Sequence, residues 1–128
     1  MRQIKFRVWH KPENKMHHYL KAKFGQGTNI TLEGKFKDVD QITTKTVPIE
    51  DLEVMQFTGL RDKKGNEVFE GDLLKIGQQT GLYEVVWQED GAYFRARRVG
   101  SDTGYSFTNM SYPFEVIGNI YENPQLLK

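Results

Sequence analysis

Apolar and polar residues alternate with a period of two along most of this chain. In residues 3–8, Ile4, Phe6 and Val8 alternate with Gln3, Lys5 and Arg7, the pattern of a strand with one buried face. Lys11-Pro12-Glu13-Asn14-Lys15 reads as a turn, because Pro12 pre-sets its φ and Asn14 tolerates positive φ. Alternation resumes with Met16, His18, Leu20, Ala22 and Phe24 on one side and His17, Tyr19, Lys21 and Lys23 on the other. The two segments predict an N-terminal β-hairpin, ended by Gly25-Gln26-Gly27. Short strands broken at Gly34 are expected over residues 28–46. Pro48–Leu52 suits one helical turn, with proline at its start and acids at its positive end. No segment sustains a helical stripe for ten residues.

Val54–Phe57 and Leu73–Ile76 read as strands flanking a loop over residues 58–66. From residue 72 the pattern sharpens. Leu73–Ile76, Leu82–Gln88, Tyr93–Val99, Tyr105–Ser111 and Phe114–Tyr121 are separated by turn sequences that mostly contain glycine, and Asn123-Pro124 stops the last strand. Short strands at roughly ten-residue intervals are what a small barrel or sandwich looks like in sequence. The expectation is one all-β domain over residues 1–128. It has two sub-modules, an N-terminal β module over 1–57 and a small β-barrel over 58–128, with a soft boundary near 58–71.

The 128 residues include no cysteine, which excludes disulfide frameworks, zinc ribbons, iron–sulfur clusters and thiol nucleophiles. A chain of this length buries enough surface to fold without such staples. Charged residues at 27% and aromatics at 12% mark a globular protein. No apolar run approaches the ~18 residues of a membrane span, and the first residues lack the apolar stretch of a signal peptide, so a cytoplasmic protein is expected. Net charge is only +1, yet residues 1–23 carry seven Lys/Arg against one acid. A basic N-terminal module is the electrostatic fact to explain.

Three stretches carry a resemblance. They are Ile4-Lys5-Phe6-Arg7-Val8-Trp9, the long run from Val54 through Thr58-Gly59-Leu60-Arg61-Asp62-Lys63-Lys64-Gly65-Asn66 to Glu70-Gly71-Asp72, and Glu115-Val116-Ile117-Gly118-Asn119-Ile120-Tyr121-Glu122-Asn123-Pro124. Together they resemble the YopX-like proteins encoded by bacteriophages and prophages of low-GC Gram-positive bacteria. The resemblance spans almost the whole chain and is weakest over 16–50. It implies a mainly β fold with a small Src-homology-3-type barrel or roll, a phage or prophage origin, a bacterial cytoplasmic setting and a tendency to self-associate. It supplies no catalytic residues and no cofactor.

The residues themselves offer one leading candidate site. If Ile4, Phe6 and Val8 point inward, Lys5, Arg7 and Trp9 share the other face. If Met16, Leu20 and Phe24 also point inward, His17, Tyr19, Lys21 and Lys23 join them there. Cations neutralise phosphates and flat rings stack on bases, so this face suits nucleic acid. The plainer reading is that the lysines are solvated while Trp9 and Tyr19 cover a second sheet or a subunit interface. A second basic cluster lies in Tyr93-Phe94-Arg95-Ala96-Arg97-Arg98, where Tyr93, Arg95 and Arg97 share one face. Pairing of these arginines with Glu84, Glu89 or Asp90 is the competing reading.

Other chemistry is thinly supported. His10, His17 and His18 with Glu13 raise the question of a metal, but adjacent His17 and His18 on a strand face opposite ways, and no metal or cofactor is expected. Lys63-Lys64-Gly65-Asn66 lacks the spacing of a phosphate loop and reads as a β-turn. The pairs Glu70/Asp72 and Glu89/Asp90 read as solvated turn acids, so no enzyme is expected. Two functions follow. One is a non-catalytic phage accessory protein binding nucleic acid through Lys5, Arg7, Trp9, Tyr19, Lys21 and Lys23, with Arg95 and Arg97 secondary. The other is a homo-oligomeric assembly protein, or one that docks on a host or phage protein.

Overall fold

A computed structural model describes residues 3–24, 27–35 and 42–127, with backbone alone at 19–22, 24, 35, 42, 43 and 109. Its elements are antiparallel strands and short 3₁₀ turns, so the all-β expectation holds. Among the described residues no helix is long and apolar enough to cross a membrane. The chain divides into two compact units, Gln3–Gln56 and Phe57–Lys128.

In the first unit, β1 (Phe6–His10) and β2 (Lys15–Phe24) form the predicted hairpin around Lys11–Asn14. Asn14 adopts a φ of 56°, the left-handed conformation that asparagine tolerates. β3 (Asn29–Lys35) pairs with β2, and β4 (Ile42–Pro48) pairs with β3. Gly34 lies inside β3 rather than breaking it, opposite Thr43 on one side and Tyr19 on the other. Pro48 leads into the expected single turn, a 3₁₀ turn over Ile49–Asp51. The first half of β5 (Leu52–Arg61) then adds to the free edge of β1, pairing Phe6 with Gln56 and His10 with Leu52. A core of Val8, Ile30, Leu32, Val47 and Leu52 lies on one side of this sheet.

The second unit starts with the second half of β5, which pairs with β6 (Glu67–Phe69). Here the sequence predicts a loop from residue 58, and the strand instead runs to Arg61. β6 has three residues, too few to register as an alternation, yet its Glu67 pairs with Arg61 beyond an irregularity after Phe57 in which Gly59 takes a φ of 87°. The Thr58 hydroxyl donates to the Val68 carbonyl at 2.7 Å across this pairing.

β7 (Asp72–Ile76), β8 (Tyr83–Gln88), β9 (Tyr93–Arg98) and β10 (Gly104–Ser106) follow as a meander. β11 (Phe114–Asn119) returns beside β7, giving the order β10-β9-β8-β7-β11. The strand expected over 105–111 stops at Ser106, whose hydroxyl caps a 3₁₀ turn over Phe107–Asn109 by accepting from the Thr108 N–H. Val68, Leu74, Ile76, Tyr83, Val85 and Ala96 form the core, with Tyr105, Phe107, Met110, Phe114 and Val116 packed around them.

Candidate functional site

The hairpin face differs from the one expected. Alternation along β1 holds, but β1 is an interior strand flanked by β2 and β5, not half of a free ribbon. Arg7 is only 6% exposed and its Nε donates to Met55 Sδ, opposite it on β5. Trp9 is 7% exposed, between Met16 and Glu53 in register. Arg7, expected on the nucleic-acid face, is buried, and the burial of Trp9 agrees with the plainer reading in which its ring is covered. Conversely Ile4 and Phe6, expected inward, are 67% and 41% exposed.

The β1–β2 register also splits the expected cluster. Trp9 faces Met16, while Val8 faces His17 and Phe6 faces Tyr19, so positions 17 and 19 share the side of Val8 and not that of Arg7. A register shift between Tyr19 and Lys21 then sets Lys21 opposite Glu33 and Lys23 opposite Thr31. That step returns backbone positions 21 and 23 to the side of Lys5 and Arg7. Lys5 is half-buried and Lys23 exposed. The side chains of Tyr19 and Lys21 lie outside the described residues.

The β9 cluster has the predicted alternation. Tyr93, Arg95 and Arg97 sit opposite Gln88, Val86 and Glu84 and share one face, while Phe94 and Ala96 lie on the other, opposite Trp87 and Val85. Arg97 lies 3.6 Å from Glu84, so the expected cross-strand pairing is present for this arginine. Arg95 donates instead to the Asp102 carbonyl. Tyr93 is 38% exposed beside them. Glu84, Arg97 and the Val99–Asp102 turn line an open concavity at the end of the same face.

The long motif around Asp62 is a structural knot. Asp62 is buried, and its carboxylate accepts from the Lys64 N–H, the Asn66 N–H, the Asn66 amide and the Val116 N–H. Burial alone would raise its pKa, but these donors outweigh burial and hold the carboxyl below its ordinary value. Gly65, at φ 86°, closes the predicted turn by donating to the Asp62 carbonyl. Lys63 and Lys64 turn to Glu115, at 3.6 and 2.6 Å, and the hydrogen bond from Lys64 lowers the Glu115 pKa. Asp72 is buried and accepts from the Phe69 N–H, so it is a structural acceptor rather than a solvated acid. The C-terminal motif closes likewise, with Asn119 Oδ1 accepting from the Tyr121 and Glu122 N–H groups.

One grouping emerges only in three dimensions. His10 and His17 lie on the Val8 side of the hairpin, diagonal to each other, and both are buried. Glu13, in the turn between them, reaches 2.7 Å from His10 Nδ1. Ligand-capable atoms of His10, Glu13 and His17 all lie within 4.8 Å of one another. Lys45 Nζ contacts Glu13 Oε1 from β4. Burial lowers the pKa of His10, helped by the charge of Lys45 and opposed by Asp51. Burial lowers that of His17 too, followed by repulsion from His10 and Lys15. The signal available in sequence was the turn length. Four residues between strands set His10 opposite Lys15, and hence His10 and His17 on one side.

Comparison with known proteins adds the family. No curated protein matches the chain. Among solved structures, protein EF1440 from Enterococcus faecalis superposes with a TM-score of 0.68 at 26% identity, over 100% of both chains. YopX from Bacillus subtilis superposes with a TM-score of 0.60 at 20% identity, over 100% of this chain and 98% of that one. The family described as YopX protein matches residues 5–128, and this chain belongs to it.

Proposed function

We propose that this protein is a non-catalytic accessory factor of a bacteriophage or prophage. It works in the cytoplasm of the bacterial host and binds nucleic acid through the outer face of β8 and β9. The observation that carries this reading is the line of Tyr93, Arg95 and Arg97 along one sheet face. Same-face neighbours on a strand are about 6.6 Å apart, so an exposed ring is followed by two cations along one track. Rings stack on bases without regard to sequence, and guanidiniums pair with phosphate. The Arg97–Glu84 contact is long and partly exposed, and such pairs exchange readily for a phosphate partner. Lys5 and Lys23, on one side of the first unit's sheet, are secondary contacts in this reading, and position 21 falls on the same side. Arg7 and Trp9 drop out of the contact set because they are buried.

The test is fluorescence anisotropy with labelled single- and double-stranded DNA and RNA, titrated in salt. Two arginine–phosphate contacts on a single strand predict a slope of log K against log[salt] of about −1.4. Tyr93→Ala should weaken binding at every salt concentration, and Arg97→Gln should flatten the slope by about 0.7. Absence of binding at low salt, or binding indifferent to both changes, overturns the reading.

A second reading rests on a different observation. Phe6 at the end of the β1–β5 pairing, Val54 diagonal to it opposite Val8, and Ile4 just before β1 are exposed apolar residues, and scattered apolar residues become informative when they adjoin. Self-association, or docking on a host or phage protein, would cover them. Light scattering should then give a multimer whose mass falls for Phe6→Ser.

A further inference from the structure

We propose that His10, Glu13 and His17 form a binding site for a divalent transition-metal ion, zinc foremost, with water completing the coordination. The donor set is two imidazoles and one carboxylate, the combination found where zinc keeps an open fourth position. The β-hairpin builds it with little freedom. His10 ends β1, His17 lies two positions beyond its cross-strand neighbour Lys15, and Glu13 sits in the intervening turn.

The distances fit. Ligands at about 2.0–2.1 Å from a tetrahedral ion are about 3.4 Å apart, so the widest pair has at most about 1.5 Å to close. One pair, His10 Nδ1 and Glu13 Oε1, sits at a hydrogen-bond distance of 2.7 Å and opens by about 0.7 Å to share an ion. Both histidines are buried while the Glu13 side chain is 36% exposed, which leaves an access route and room for water on the turn side. The pocket also favours neutral imidazole, the form that offers a lone pair.

Lys45 sharpens the argument. Its ammonium contacts the Glu13 carboxylate, so positive charge already sits at the position a metal would share. The lysine acts as a competing cation. An incoming ion must displace it, and removing it should strengthen metal binding. An ion pair that existed only to hold the turn would show the opposite, no gain in metal affinity on loss of Lys45.

Isothermal titration of the full chain with zinc at neutral pH, and with cobalt(II) followed by its visible absorption, tests the site. One ion per chain is expected, with a cobalt spectrum of four-coordinate intensity. Glu13→Gln lies in an exposed turn, keeps the fold intact and should weaken binding at least tenfold, as should His17→Gln. His18→Ala, at the exposed histidine on the opposite face, should change nothing, and Lys45→Gln should tighten binding. The proposal is overturned by absence of saturable binding. It is equally overturned by zinc affinity that survives Glu13→Gln, by affinity lost with His18→Ala, or by affinity unimproved in Lys45→Gln. Circular dichroism of each variant separates a lost site from a lost fold.

Discussion

The carboxylate of Asp62 accepts a 2.9 Å hydrogen bond from the backbone N–H of Val116, 54 positions further along the chain. The same side chain organises its own turn through Lys64 and Asn66. A single acid therefore ties the turn after β5 to strand β11. Removing it leaves several backbone donors without their partner in a part-buried setting, and each such loss costs about 1–3 kcal/mol. Asp62→Ala should lower the urea unfolding free energy by about 2–4 kcal/mol, with Asp62→Asn intermediate because one acceptor oxygen survives.

Acid should act on the same residue. The Asp62 carboxyl is held below its ordinary value of 3.8 by the donors around it. Its contribution is therefore present above that value and lost as pH falls through the lower folded one. Unfolding curves in this acid range should lose part of their pH dependence in Asp62→Asn.

The buried histidines set a second, higher window. Their folded pKa values lie below the ordinary 6.5, so the folded state resists a proton that the unfolded chain accepts. Stability from this source is complete above about pH 6.5 and falls as pH drops through the folded values. Metal-free protein followed by urea unfolding from about pH 8 to about pH 5 should show the loss. His17→Leu should flatten it, and an unchanged slope would remove His17 as the cause.

Gly118 is required by a close approach. A Cβ there would lie 2.5 Å from Asn123 Oδ1, which itself accepts from the Asn119 N–H. Gly118→Ala should cost about 1–3 kcal/mol, read as a fall in Tm. Gly65→Ala meets no neighbouring atom; its cost comes from the positive φ alone, and is expected near about 1 kcal/mol.

Trp9 separates packing from recognition. Because it is buried, Trp9→Ala should destabilise the protein by about 3–5 kcal/mol. The salt slope of nucleic-acid binding should be unaffected wherever the variant remains folded. A slope that changed while stability did not would return Trp9 to the contact surface.

Much of the architecture was legible from local pattern. The hairpin turn at Lys11–Asn14, the single turn after Pro48 and the alternation of Tyr93, Arg95 and Arg97 all depend on neighbours within a few residues. The misreadings share a cause. The extension of β5 to Arg61 depends on pairing with Glu67 of β6, and Arg7 is buried against Met55 of β5. β5 lies far from β1 along the chain, and β6 is too short to show an alternation.

Local pattern in the chain is enough to set the all-β class, where most strands begin and which residues alternate along each. Those properties follow from φ preferences and a two-residue side-chain period, which are local. The tertiary structure alone decided which side of each strand meets solvent, and therefore which candidates remain available for a ligand. It also decided that His10, Glu13 and His17 converge, and that Asp62 holds β11. These depend on strand register and on bulges such as the one after Tyr19. A shift of one residue exchanges the two faces of a strand, and only pairing across the sheet fixes that choice.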